Sequence, residues 1–117
     1  MSDTTSKTHE LKVLQPMFPA LVDGSKTFEV RKNDRGFQVG DTLILMRWGT
    51  DPVTEVEGFM SGDAETGMVV HRIKADFVKV KVTYILPGGQ FGVDPDYVVM
   101  GFRFVSYRDT NVSGSEE

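Results

Sequence analysis

Lys26-Thr27-Phe28-Glu29-Val30-Arg31-Lys32 is the stretch whose reading decides the fold. Its pattern has a period of two, the mark of a strand. Phe28 and Val30 fall on one side; Thr27, Glu29 and Arg31 fall on the other. The apolar pair is expected to face a core, leaving the polar row as a working face flanked by Lys26 and Lys32. Residues two apart on a strand are separated by about 6.5–7 Å. A hydroxyl, a carboxylate and a guanidinium therefore share one wall. Arg31 can grip a phosphate or carboxylate through two parallel hydrogen bonds. Glu29 can accept from a base edge or act as a general base, which makes Lys26 and Glu29 the candidate catalytic residues. The same spacing equally fits a solvated strand face on which Glu29 and Arg31 simply pair.

Upstream, His9 to Leu14 alternates Leu11 and Val13 with Glu10 and Lys12, predicting a first strand that His9 opens. Pro16 and Pro19 suit a first helical turn, Phe18, Leu21 and Val22 share a face, and Gly24 is a stop. A short helix of about two turns follows from this. Downstream, Asn33-Asp34-Arg35-Gly36 and Val39-Gly40-Asp41 are turns, and Thr42 to Trp48 is an apolar strand. Val78 to Leu86 is the clearest strand, with Val78, Val80, Val82, Tyr84 and Leu86 on one side, closed by Pro87-Gly88-Gly89. Tyr97 to Tyr107 is the last, with Val98, Met100, Phe102 and Phe104 as its apolar face.

Between residues 50 and 71 the pattern fades into glycines and acids, a long loop or hairpin excursion with a turn at Ala64-Glu65-Thr66-Gly67. Residues 1–8 read as a disordered leader and 108–117 as a disordered acidic tail, leaving one domain over 9–107. Short strands, glycine-rich turns and one or two short helices indicate a mainly β (α+β) chain folded as a small barrel.

At 117 residues the chain suits a single core, and its 39% apolar and 26% charged content is that of a globular domain. No apolar run approaches the roughly 20 residues of a membrane span. The polar start lacks a secretory signal, and there are no cysteines. A cytoplasmic protein without membrane contact is expected. The net charge of −4 argues against broad binding to duplex nucleic acid. Locally the balance reverses. From Gly24 to Arg47 there are five basic residues (Lys26, Arg31, Lys32, Arg35, Arg47) against three acidic ones, whereas Asp51 to Glu65 has five acids and no base. A basic site on an acidic body suits a nucleotide or short single strand.

His9 and His71 are too far apart for a zinc-protease spacing, so no metal is expected. No phosphate-loop, dinucleotide or nucleophile-elbow motif is present, and no cofactor is expected. Pro87-Gly88-Gly89-Gln90-Phe91-Gly92 reads either as a plain turn or as a cleft rim where Gln90 and Phe91 meet a base. Trp48 and Tyr97 can stack on a base or pack in a core.

The run His9-Glu10-Leu11-Lys12, then Gly24 to Arg35, Val39-Gly40-Asp41, and Val82-Thr83-Tyr84-Ile85-Leu86-Pro87-Gly88-Gly89-Gln90-Phe91-Gly92 resembles the DUF3850 family, placed in the ASCH group of the PUA-like superfamily. The resemblance spans about 9–107 and implies a small PUA-like/ASCH β-barrel of bacterial or phage type. Its cleft would lie beside the first helix, along the Lys26–Arg31 strand. It also implies RNA or nucleotide binding, with His9, Lys12, Lys26, Thr27, Glu29, Arg31, Lys32, Arg35, Gln90 and Phe91 as candidate ligand contacts. Some ASCH relatives hydrolyse the amide of acetylated cytidine with a lysine, a threonine and a glutamate. Lys26 matches that lysine, but Glu29 stands where the threonine would be. The alternatives are a small hydrolase or ribonuclease acting on modified nucleosides or RNA, and a phage or bacterial interaction factor that engages a protein through residues 50–71.

Overall fold

The computed structural model describes residues 6–63 and 67–108. Residues 64–66 of the turn expected at Ala64-Glu65-Thr66-Gly67, and most of the expected leader and tail, therefore lie outside the described residues. The chain is mainly β. Among the described residues there are seven strands: β1 (Thr8–Leu14), β2 (Phe28–Lys32), β3 (Thr42–Thr50), β4 (Glu57–Ser61), β5 (Met68–Val69), β6 (Phe77–Pro87) and β7 (Tyr97–Arg108). A 3-10 turn, Gln15–Met17, leads into the short helix α1 (Phe18–Val22), and a second, Arg72–Lys74, precedes β6. The strands form one sheet in the order β2-β7-β6-β3-β4-β5, with β1 running parallel beside β3 and all other pairs antiparallel. Between residues 50 and 71 the chain thus returns along β3, with Trp48 opposite Phe59, and then pairs β4 with β5. Among the described residues no helix is long and apolar enough to cross a membrane.

The sheet does not close. Among the described residues no backbone ladder joins β1 to β2, so each keeps one free edge. The mainly β expectation holds, while the small barrel is not established by this open sheet; at the seam, arginine side chains span the gap between the two edges.

The core gathers Leu11 and Val13 from β1, Phe18 and Leu21 from α1, Leu43 and Leu45 from β3, Val78, Val80 and Val82 from β6, and Val98, Met100 and Phe102 from β7, with Phe37. Phe18 and Leu21, on the single turn of helix, are 3% and 2% exposed. Each side chain so buried is worth about 1.5–3 kcal/mol, enough to hold a helix too short to stand alone.

Two expectations about faces need correction. On β2 the alternation is present but inverted: Glu29 is 5% exposed, whereas Phe28 and Val30 are 45% and 49% exposed. Pairing with β7 explains it. Glu29 lies opposite Met100 and Arg31 opposite Val98, both core residues, while Phe28 lies opposite Gly101 and Val30 opposite Val99. Directly opposed residues share a face, so Glu29 and Arg31 are carried to the inner side. On β6 a register shift between Val82 and Tyr84 places an extra residue on that strand. A one-residue bulge reverses the facing of all that follows. Tyr84 is consequently 64% exposed, and Ile85 packs on the core in its place.

Candidate functional site

The inward turn of β2 puts a carboxylate under the sheet, and the sequence on both sides supplies its partners. Beyond helix α1 and its cap Asp23 comes Gly24, whose φ of +85° is the left-handed conformation that glycine adopts without strain. The next turn brings the Lys26 N–H to the Ala20 carbonyl at 3.0 Å. From there the Lys26 Nζ donates to Glu29 Oε2 at 2.8 Å and to the Phe28 carbonyl at 2.6 Å. Arg31, two residues beyond Glu29 on the same face, donates Nε to Glu29 Oε1 at 3.0 Å. A buried carboxylate held by two cations is stable where an isolated one would not be.

Arg31 also crosses the seam. Its Nη2 donates to the backbone carbonyl of Lys12 on β1. Arg35 does the same from the turn after β2, donating Nη1 to the Glu10 carbonyl at 2.9 Å. That turn is set by Asn33, whose N–H donates to Asp96 O at 2.8 Å and whose Oδ1 accepts from Phe37 N at 3.2 Å. Glu10 and Lys12 are two residues apart, so both carbonyls project from one edge of β1. The free edges of β1 and β2 are therefore joined by guanidinium groups rather than by a ladder.

Two clefts open along this seam. The first, of about 350 Å³, is lined by Lys12, Val13, Leu14 and Met17 on one side and by Glu29 to Lys32 and Tyr97 on the other. The second, of about 320 Å³, is lined by Glu10, Leu11, Lys12, Arg31, Arg35, Met46, Phe59 and Arg72. They share Lys12 and Arg31. Together they present five cations (Lys12, Arg31, Lys32, Arg35, Arg72) against two carboxylates, Glu10 and Glu29, on a chain of net charge −4. One of those carboxylates is already bonded to Arg72 and the other to Lys26 and Arg31. The Lys12 ammonium, by contrast, lies 3.8 Å from the centre of the Trp48 ring. It has no hydrogen bond or ion pair among the described residues.

The sequence-predicted residues divide accordingly. Lys12, Glu29, Arg31, Lys32 and Arg35 meet at the clefts. Lys26 stands behind Glu29 and lines neither. Thr27 is exposed ahead of β2, and its carbonyl accepts from Phe102 N at 3.0 Å. His9 is turned inward instead, with Nε2 at 2.9 Å from Asp41 Oδ2 and its ring against Phe37. Gln90 and Phe91 sit in the β6–β7 turn and line neither cleft. Gln90 Nε2 donates to Pro87 O at 3.0 Å, and Phe91 is 85% exposed. Met17, Phe59, Arg72 and Tyr97 are among the further residues that line the clefts. Of these only Tyr97 had a signal in the sequence, as an aromatic that can stack.

Three further polar centres are structural. Arg47, fully enclosed, donates Nη1 to Asp76 Oδ2 at 2.9 Å and to Gly62 O at 3.0 Å, and it also contacts Gln15 and Asp63. This ties β3 to the end of β4. Asp41 accepts from Lys7 N and Gln38 N as well as from His9. Burial pushes its carboxyl up, but these three hydrogen bonds outweigh that and hold it below its ordinary value. Asp51 opens the acidic excursion and lies below its ordinary value too, because the N–H groups of Thr54, Val53 and Val69 donate to it. Among the described residues no three His, Asp or Glu side chains gather as a metal site.

Comparison with known proteins gives two findings. The model of a domain of unknown function, DUF3850, matches residues 8–102. An uncharacterized 12.9 kDa protein in the GpA 3′ region of Escherichia phage P2 is 44% identical over 43 residues, 37% of this chain and 39% of that protein. The matched stretch thus spans well under half of the phage protein's length.

Proposed function

This chain belongs to the DUF3850 family, and for it we propose a PUA-like/ASCH module that binds RNA or nucleotides in the cytoplasm through the β1–β2 seam. The observation that carries the reading is the concentration of Lys12, Arg31, Lys32 and Arg35 along two open clefts of an otherwise acidic protein. Phosphate is held by such cations, and guanidinium groups hold it bidentately. Glu29 supplies an acceptor for base edges. A carboxylate has about four lone-pair positions, and Lys26 and Arg31 engage one oxygen each. The modest number of cations suits a nucleotide or short strand rather than a duplex. Fluorescence anisotropy with a labelled short single-stranded RNA tests this. Binding should weaken as salt rises and fall about tenfold in Arg31→Ala, the equivalent of one charged hydrogen bond. Binding that is indifferent to salt and to Arg31 would contradict it.

A second reading, a small hydrolase or ribonuclease, draws on one observation. The Lys26 ammonium and the buried Glu29 carboxylate lie 2.8 Å apart, the pairing of a base with a charge stabiliser. Turnover of a modified nucleoside or RNA that disappears in Glu29→Gln supports it. Turnover whose pH–rate profile is unchanged in Glu29→Gln excludes Glu29 as the base.

A further inference from the structure

The two clefts are joined at one place, and two cationic side chains stand there. Lys12 and Arg31 line both clefts. Lys12 Nζ has only the faces of Trp48, at 3.8 Å, and Phe59, at 5.8 Å, as neighbours of opposite character. Arg31 uses Nε on Glu29 and Nη2 on the Lys12 carbonyl, leaving Nη1 without a partner among the described residues. An ammonium and a guanidinium N–H are thus both available at the boundary between two hollows.

The hollows differ in kind. The first presents Glu29, Lys32 and Tyr97, groups that read and orient a polar ring. The second has Met46 and Phe59 in its lining together with Lys12, Arg31, Arg35 and Arg72. The Phe59 ring stands edge-on to Trp48, with centroids 4.9 Å apart and planes at 90°. That contact fixes the ring in place while it lines the cleft. At about 350 and 320 Å³, each hollow is at the lower end of the range for small-molecule sites, about 300–1,000 Å³. Each fits one nucleoside-sized unit.

Resting on the nucleotide-binding reading, we propose that the seam binds two consecutive units of a single-stranded nucleic acid. The linking phosphodiester crosses at Lys12 and Arg31. One base lies in the Glu29 cleft and the other against Phe59. The preferred ligand is therefore a dinucleotide step within a strand, not a free mononucleotide. Linking two modest sites raises affinity without new contacts, because the second binding event becomes intramolecular.

Calorimetry on the full chain compares three probes: a nucleoside monophosphate, a dinucleoside monophosphate, and the same dinucleoside joined by an uncharged methylphosphonate. The dinucleoside monophosphate should bind at least about tenfold more tightly than the mononucleotide. The methylphosphonate should lose most of that gain, and Phe59→Ala should weaken the dinucleotide more than the mononucleotide. Equal affinity for the mononucleotide and the dinucleotide overturns this inference while single-nucleotide binding at the seam stands. No binding of any probe overturns the underlying reading and this inference with it.

Discussion

The guanidinium of Arg31 donates to the backbone carbonyl of Lys12 and so joins two strands that share no backbone ladder. Arg35 repeats the contact one step along, on the Glu10 carbonyl. The free edges of β1 and β2 are thereby held at a spacing set by side chains. That spacing leaves room for the clefts.

Removing the pins should loosen the seam without dissolving the core. Arg31→Ala takes away one bond to Lys12 and one of the two cations on Glu29. A cost of about 1.5–3 kcal/mol follows from losing a charged hydrogen bond in a half-buried setting. Arg35→Ala, at an exposed position, should cost less. Urea unfolding gives the stability, and hydrogen exchange should show faster opening in β1 and β2 than in β6.

The inverted facing of β2 has a direct consequence for mutation. Phe28 and Val30 are half exposed on the outer face, where Phe28 and Tyr84 flank Gly101. Val30→Thr should therefore change stability by less than about 0.5 kcal/mol. Met100→Ala, opposite Glu29 and fully buried, should cost about 2–5 kcal/mol. Thermal unfolding of the two variants separates this arrangement from one in which Val30 is core.

Arg47 and Asp76 are 2% and 0% exposed in their side chains. Arg47→Met leaves Asp76 buried without its cation, and breaking such a pair costs about 3–5 kcal/mol. Replacing both with apolar residues should recover part of the loss, because the uncompensated charge is gone. Chemical denaturation of the single and double variants measures this, and a double variant no more stable than the single would contradict it.

The sign of the acid dependence follows from Asp41 and Asp51. Both carboxyls lie below the ordinary value of 3.8 when the chain is folded. A group whose pKa is depressed by folding stabilises the fold above its unfolded value, and that contribution is lost as pH falls through the folded one. Stability should fall as pH drops below about 4, with a shallower acid limb in Asp41→Asn. That variant should also be less stable near neutrality, since its amide replaces a carboxylate that accepts three hydrogen bonds. Denaturant titrations from about pH 5 downward test both effects.

Much of this was legible in the sequence, and the failures have physical causes. The alternation in Lys26 to Lys32 and in Val78 to Val82 marks strands because side chains of a strand alternate whatever lies beyond them. It does not say which side is inside. Apolar Phe28 and Val30 pointed one way, and only the register with β7 reveals the other. The polar face could go inward because Lys26 and Arg31 satisfy Glu29, a compensation that lies within seven residues yet reads equally well as a surface pair. The bulge at Thr83 leaves no mark in composition, so Tyr84 looked like a continuation of the valine face. Arg47 sat in an apolar strand with no visible partner, since Asp76 is 29 residues away. Arg35 reads as a turn residue and a candidate ligand contact, with nothing to mark it as a link to β1. Its role exists only because β1 lies beside it in space. The candidate contacts Lys12, Glu29, Arg31, Lys32 and Arg35 do converge, whereas Gln90 and Phe91 stand apart and His9 is tied to Asp41.

The central claim, that the β1–β2 seam is a nucleotide site, is tested most directly by titrating isotope-labelled protein with AMP and a short single-stranded RNA while recording amide shifts. The account predicts saturable shifts concentrated at residues 10–14 and 29–35, with the β6–β7 turn around Gln90 unmoved. Shifts confined to that turn, or none at millimolar ligand, would contradict it.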